Sequence, residues 1–164
     1  MTDKPLAALG IDPGMKGALI LLSDDELIAH DFKSVDAAET AFDALCQKFD
    51  IGFTVLERVW FRPNERDVKS VEVLIRNHEM WHTLLHVFKI PHETYSPDQW
   101  RAGLIRSKGQ SDKKIYIERA KQLMPEHAHM FTRHDRAEAA LMAWRAWMHV
   151  QASQKAFSAS FVPA

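Results

Sequence analysis

Cysteine is nearly missing from this chain: Cys46 stands alone among 164 residues. No internal disulfide can form, and a reducing, cytoplasmic setting is expected. Long apolar runs are also missing. None approaches the ~20 residues of a membrane span, and Met1-Thr2-Asp3-Lys4 lacks the charged-then-apolar layout of a signal peptide, so no membrane association is expected. Neither sign of charge dominates, with 21 Lys and Arg against 22 Asp and Glu. That balance excludes a uniformly basic nucleic-acid coat. Contact with nucleic acid would have to come from local clusters, of which there are two: Arg58, Arg62 and Arg66, then Arg101, Arg106, Lys108, Lys113 and Lys114. Internal repeats and low-complexity tracts are absent. What is present, 46% hydrophobic and 26% charged residues, excludes disorder and fits one globular domain with a sizeable core. Its expected extent is 1–152, with a small, polar, flexible tail over 153–164.

The apolar run Leu6 to Ile11 stops at Asp12-Pro13-Gly14, as a buried strand ending in a tight turn does. Gly17–Leu22 and Glu26–Phe32 read as two strands joined by the polar turn Ser23-Asp24-Asp25, completing a three-stranded meander. Ser34 or Asp36 caps a helix whose apolar positions run from Ala37 to Phe49, with Gly52 closing it. Phe53–Glu57 is another buried strand ending on an acid. A helical pattern follows from about Glu65 to Phe88, then a short strand over His92–Tyr95. Ser96-Pro97 starts a helix with Pro at its first position. Ser107–Asp112 is a basic loop, Lys113–Met124 a helix and Glu126–Arg133 a His-rich loop. The last strong helix begins near His134. The order β-β-β-α-β-α-β-α-α implies an α/β fold, a mixed sheet flanked by helices, with its site where strand ends and helix ends meet.

A carboxylate at the end of a buried strand costs several kcal/mol unless it is paired or holds a metal. Asp12 is therefore either half-exposed or part of a site, and Glu57 ends its strand in the same way. If the two strands are neighbours, both acids emerge together. Asp135 and Glu138 lie three apart on one face at the start of a helix, where the macrodipole favours their ionised forms. Taken singly, each acid is an ordinary turn or first-turn residue. The four together form an oxygen-ligand set suited to Mg²⁺ or Mn²⁺ rather than zinc. Two such ions ~3.5–4 Å apart can activate water and stabilise the leaving oxygen of a phosphodiester. His127, His129 and His134 lack a fourth ligand at zinc spacing and read as solvated loop histidines. Arg106 and Lys108 are expected to hold backbone phosphate.

Gly10-Ile11-Asp12-Pro13-Gly14, then Leu56-Glu57-Arg58-Val59-Trp60-Phe61, then His134-Asp135-Arg136-Ala137-Glu138-Ala139-Ala140-Leu141 resembles the RuvC family of Holliday junction resolvases, in its phage-type branch. The likeness spans Leu6 to about Met148. It implies a ribonuclease H-like mixed five-stranded sheet and a homodimeric, metal-dependent endonuclease that nicks four-way DNA junctions symmetrically. Asp12 and Glu57 match the family's first two acids. Asp135 and Glu138 match the closing pair, with Glu138 standing where the bacterial enzymes have Asp. His134 either assists as a proton donor or positioner, or caps the helix. The resemblance makes Trp60 the aromatic that stacks on a base at the junction centre, with Phe61 beside it; a core or dimer role is the alternative for that pair. It also points to Arg101 and to Lys113 or Lys114 as cations near the scissile phosphate, with Arg58 among the DNA-contacting set. The helix from Glu65 to Phe88 corresponds to the family's dimer helix, so Trp81 and Leu85 are interface or core. A broader branched-DNA or flap endonuclease of phage replication or packaging, and a catalytically weak DNA-binding module, are the competing functions.

Overall fold

The computed structural model describes residues 3–59, 68–105 and 113–160. Strands β1 (Leu6–Asp12), β2 (Ala18–Ser23), β3 (Leu27–Asp31), β4 (Asp50–Glu57) and β5 (His92–Tyr95) form one sheet in the order β3-β2-β1-β4-β5. The first three are an antiparallel meander, while β4 and β5 join in parallel on the other side of β1. Among the described residues no helix is long and apolar enough to cross a membrane.

Helices cover both faces of the sheet, so its central strands are near-continuous apolar runs rather than polar-apolar alternations. Side-chain parity still decides which layer each residue enters. Ala7, Leu9 and Ile11 of β1 pack with α1 (Val35–Lys48) and α2 (Val68–Val87), through Phe42, Leu45, Trp81 and Leu85. Ala8 and the β4 residues Phe53 and Val55 face α3 (Pro97–Arg101), α4 (Lys114–Leu123) and α5 (His134–Ser160). Trp81 and Leu85 thus belong to the core of this chain, Trp81 edge-on to Phe42 with ring centroids 6.1 Å apart.

The α5 layer comes unusually close to β1. A Cβ added at Gly10 would collide with the Ala139 carbonyl oxygen and the Ala143 nitrogen. Glycine in the strand, facing Ala139, Ala140, Ala143 and Ala146 in the helix, removes the side chains that would hold the two apart.

Several local readings need correction. Ser34, not Asp36, caps α1, its hydroxyl accepting from Ala37 N at 3.2 Å. Gly52 does not close that helix, which ends at Phe49 because the chain turns extended there. Gly52 lies inside β4, at a bulge: Ala7 pairs with Ile51 but Ala8 with Phe53. The helix expected to start at Ser96-Pro97 is the five-residue α3, closed at its start by a capping box with Gln99; the element order β-β-β-α-β-α-β-α-α omits it. The His-rich stretch is a 3₁₀ helix, Pro125–Met130. Helix α5 runs through residue 153 to Ser160, with the side chains of 152–159 exposed; the Ser153 hydroxyl donates back to the His149 carbonyl.

Candidate active site

The parity that sorts the cores also aligns the two strand acids. β1 and β4 pair Gly10 with Val55 and Ile11 with Leu56, so the next step sets Asp12 beside Glu57. Both lie on the α5 face, the side of Gly10 and Val55. The close approach of α5 at Gly10 carries its first turns over these strand ends, bringing Asp135 and Glu138 with it.

The resulting electrostatics are those of crowded, desolvated carboxyls. Burial raises the Asp12 pKa to about 7, helped by the charges of Glu57 and Asp135; the Gly14 N–H and Lys113 pull the other way. Burial likewise raises Glu57, opposed by a hydrogen bond from Trp100 and the charge of Arg101. Glu138 is pushed up to about 8 by burial and by the charges of Glu57 and Asp12, against Arg101 and Lys113. All three carboxyls thus resist ionising first because they are withdrawn from water, and Asp12 and Glu138 also because acids stand nearby. Among the described residues, no three Asp, Glu, His or Cys side chains stand close enough to ligate one ion as placed. The acids share one electrostatic neighbourhood without closing on a common point.

The flanking groups hold the acids in different ways. Gly14 N donates to Asp12 Oδ1 at 2.9 Å, and the Trp100 indole donates to Glu57 Oε1 at 3.0 Å. Asp135 is bonded at both oxygens, with Arg133 Nη2 at 3.0 Å from Oδ2 and His134 Nε2 at 2.8 Å from Oδ1. That same His134 Nε2 lies 2.7 Å from Lys113 Nζ. Arg133 also reaches the Lys16 carbonyl and Asp31, and Arg136 grips Asp31 through two bonds of 2.6 and 2.8 Å. Asp31, at the end of β3, therefore ties the start of α5 to the sheet.

Of the sequence-derived candidates, Asp12, Glu57, Asp135, Glu138, Lys113 and His134 gather here. Arg101 also belongs to this group: its guanidinium lies 5.0 Å over the Trp100 ring and 5.1 Å over that of Tyr116, and its charge acts on Glu57 and Glu138. Arg58 and Lys114 are exposed. Trp60, Phe61, Arg106 and Lys108 lie outside the described residues, as do Arg62 and Arg66. Sequence reasoning missed Trp100, Asp31, Arg133 and Arg136. Asp31 bonds residues 102 and 105 positions away, and no local spacing signals such a pair.

No protein-family model and no curated protein sequence matches the chain. Solved structures do. Thermus thermophilus RuvC in complex with a Holliday junction substrate matches with a TM-score of 0.63 at 13% identity, over 84% of this chain and 90% of that one. The fold is that of RuvC. Another Thermus thermophilus RuvC structure matches at 0.54 and 17% identity, covering 88% of this chain and 97% of that one. The yeast mitochondrial Holliday junction resolvase Ydc2 matches at 0.53 and 19% identity, covering 97% and 85%. Coverage this complete on both sides makes the RuvC fold the fold of nearly all of this chain, and the five-stranded mixed sheet with helices on both faces is its ribonuclease H-like core.

Proposed function

We propose that the protein is a divalent-metal-dependent endodeoxyribonuclease of branched DNA, acting on four-way junctions by paired nicks as a homodimer. One observation carries this reading: acids from β1, β4 and α5, distant in sequence, share one desolvated neighbourhood, where burial raises Asp12, Glu57 and Glu138 and repulsion from nearby acids raises Asp12 and Glu138 further. A fold gains nothing in stability from such repulsion, whereas a cation between the carboxylates relieves it. The RuvC fold, found in a complex with junction DNA, supports the choice of substrate.

The donor set fits Mg²⁺ or Mn²⁺, since it is all carboxylate with no cysteine near. Asp12, Glu57, Asp135 and Glu138 would hold the metal, two ions per site. When bound, the metal supplies water activation and charge neutralisation at the phosphodiester. The chain's own groups do the rest. Arg101 and Lys113 provide positive charge beside the acids, where a phosphate would otherwise be repelled. The Nε2 of His134 stands between Lys113 Nζ and Asp135 Oδ1. It accepts from the lysine when unprotonated and donates to the aspartate when protonated, so a proton can be held or released at this atom. Trp60 and Phe61 are proposed to stack on exposed bases at the junction centre. Arg58, Arg106, Lys108 and Lys114 are proposed to contact the DNA backbone.

The test is a cleavage assay on synthetic four-way junctions, flaps, forks and linear duplex with Mg²⁺ or Mn²⁺. Paired nicks confined to the four-way junction are expected. Equal cutting of flaps and forks would replace the proposal with a broader branched-DNA nuclease. Binding without cutting in either ion would replace it with a DNA-binding module.

A further inference from the structure

We propose that Trp100 is a positioning residue that fixes Glu57 through its indole N–H, so that one carboxylate oxygen is held by the protein and the other is turned to the metal. This inference rests on the nuclease reading and deepens it. Trp100 is fully buried, and its single side-chain polar atom donates to Glu57 Oε1. Phenylalanine would keep the aromatic contact in a smaller ring but lose the donor, and in Trp100 that donor is used on Glu57.

The helix that carries Trp100 is itself held from both ends. Ser96 and Gln99 close the capping box at its start. Arg145 reaches down from α5 and donates to the carbonyl oxygens of Trp100, at 3.1 Å, and Ala102. The helix bearing Asp135 and Glu138 therefore also fixes the residue that orients Glu57.

A parallel lies in β1. Asp12 too has one oxygen held by a neutral donor, the Gly14 N–H. Neutral donors orient a carboxylate without cancelling the charge that a cation needs, and groups standing behind metal ligands act in this way. Asp135 contrasts with both, because its partners Arg133 and His134 are cationic or can become so.

The experiment compares the unmodified protein, Trp100→Phe, Glu57→Gln and the double variant. Mn²⁺ affinity is measured by titration calorimetry without DNA, junction binding in EDTA, and nicking across a range of Mn²⁺. Trp100→Phe is expected to weaken Mn²⁺ binding by about 10- to 100-fold, to leave junction binding unchanged, and to recover nicking at saturating Mn²⁺. Added to Glu57→Gln it should cost less than about twofold more, because both changes act on one group. Unaltered Mn²⁺ affinity in Trp100→Phe, or fully additive losses in the double variant, would overturn the inference while leaving the nuclease reading intact. Should the unmodified protein neither bind Mn²⁺ nor cut branched DNA, the nuclease reading fails and this inference with it. If Trp100→Phe does not fold, indole ¹⁵N spectra of the unmodified protein serve instead. The Trp100 resonance should move on Mg²⁺ addition and not in Glu57→Gln, and an unmoved resonance is the overturning result.

Discussion

At the scale of single residues, the carboxyls that would hold metal are also the groups that burden the metal-free protein. Asp12 and Glu138 have folded-state pKa values of about 7 and about 8, well above the ordinary carboxyl range near 4. The folded chain therefore keeps protons that the unfolded chain has already lost. Their contribution to stability is full below about pH 4 and drains away as pH rises through 7 and 8. Asp12→Asn is expected to abolish nicking, by more than about 100-fold, while junction binding survives. In EDTA at pH 8 the same variant should melt higher than the unmodified protein, by on the order of 5 °C, with the gap closing toward pH 4. Thermal melts across that range check the sign. Asp12 was legible in sequence because an acid ending an apolar run is chemically conspicuous. Trp100 was not, since an aromatic in a short helix looks like core until its N–H is seen to reach a residue 43 positions away.

At the scale of elements, the start of α5 is fastened at two points. One is the contact of Gly10 with the backbone of Ala139 and Ala143. Gly10→Ala should force the helix off the strand, costing about 1–3 kcal/mol and, through displacement of Asp135 and Glu138, lowering nicking more than junction binding. Differential scanning calorimetry with the cleavage assay separates the two effects. The other is the Asp31 clamp, whose side chain is 20% exposed. The hydrogen bonds and charges of Arg136, then Arg133, hold the Asp31 pKa below its usual value. This pair stabilises above pH 4 and is lost as pH falls through the depressed value, opposite in sign to Asp12. Asp31→Asn should lower the melting temperature at pH 7 by several degrees, the difference vanishing as pH falls through the depressed Asp31 value. The strands were legible as elements because both faces are buried. The clamp was not, because ion pairs across a fold leave no periodicity. The 3₁₀ helix was hidden because histidines in a polar stretch signal no structure of their own.

At the scale of the molecule, the proposed metal would compete with protons for one cluster. Divalent binding must displace the protons held by Asp12 and Glu138, so Mg²⁺ should raise the melting temperature far more at pH 8 than at pH 5 and release protons on binding. Equal shifts at both pH values would show that the ion binds elsewhere. The near-neutral net charge also finds its meaning here, since part of the acid complement is spent at one point on the sheet. The meander and a mixed sheet flanked by helices were readable from the apolar runs, but not the bulge at Gly52, which resembled a helix stop. That bulge is a counting device. Asp50 starts opposite Leu6, and uninterrupted counting would bring Glu57 level with Pro13, on the reverse of the sheet from Asp12. One surplus residue changes the phase by half a pleat and lands the two acids side by side. Gly52 is the residue the bulge absorbs: without it Ile51 would still meet Ala7, Phe53 would meet Ala8 and Glu57 would still come level with Asp12. Deleting Gly52 should therefore straighten β4 and spare the carboxylate cluster, whereas one residue added beyond Phe53 would turn Glu57 to the reverse of the sheet.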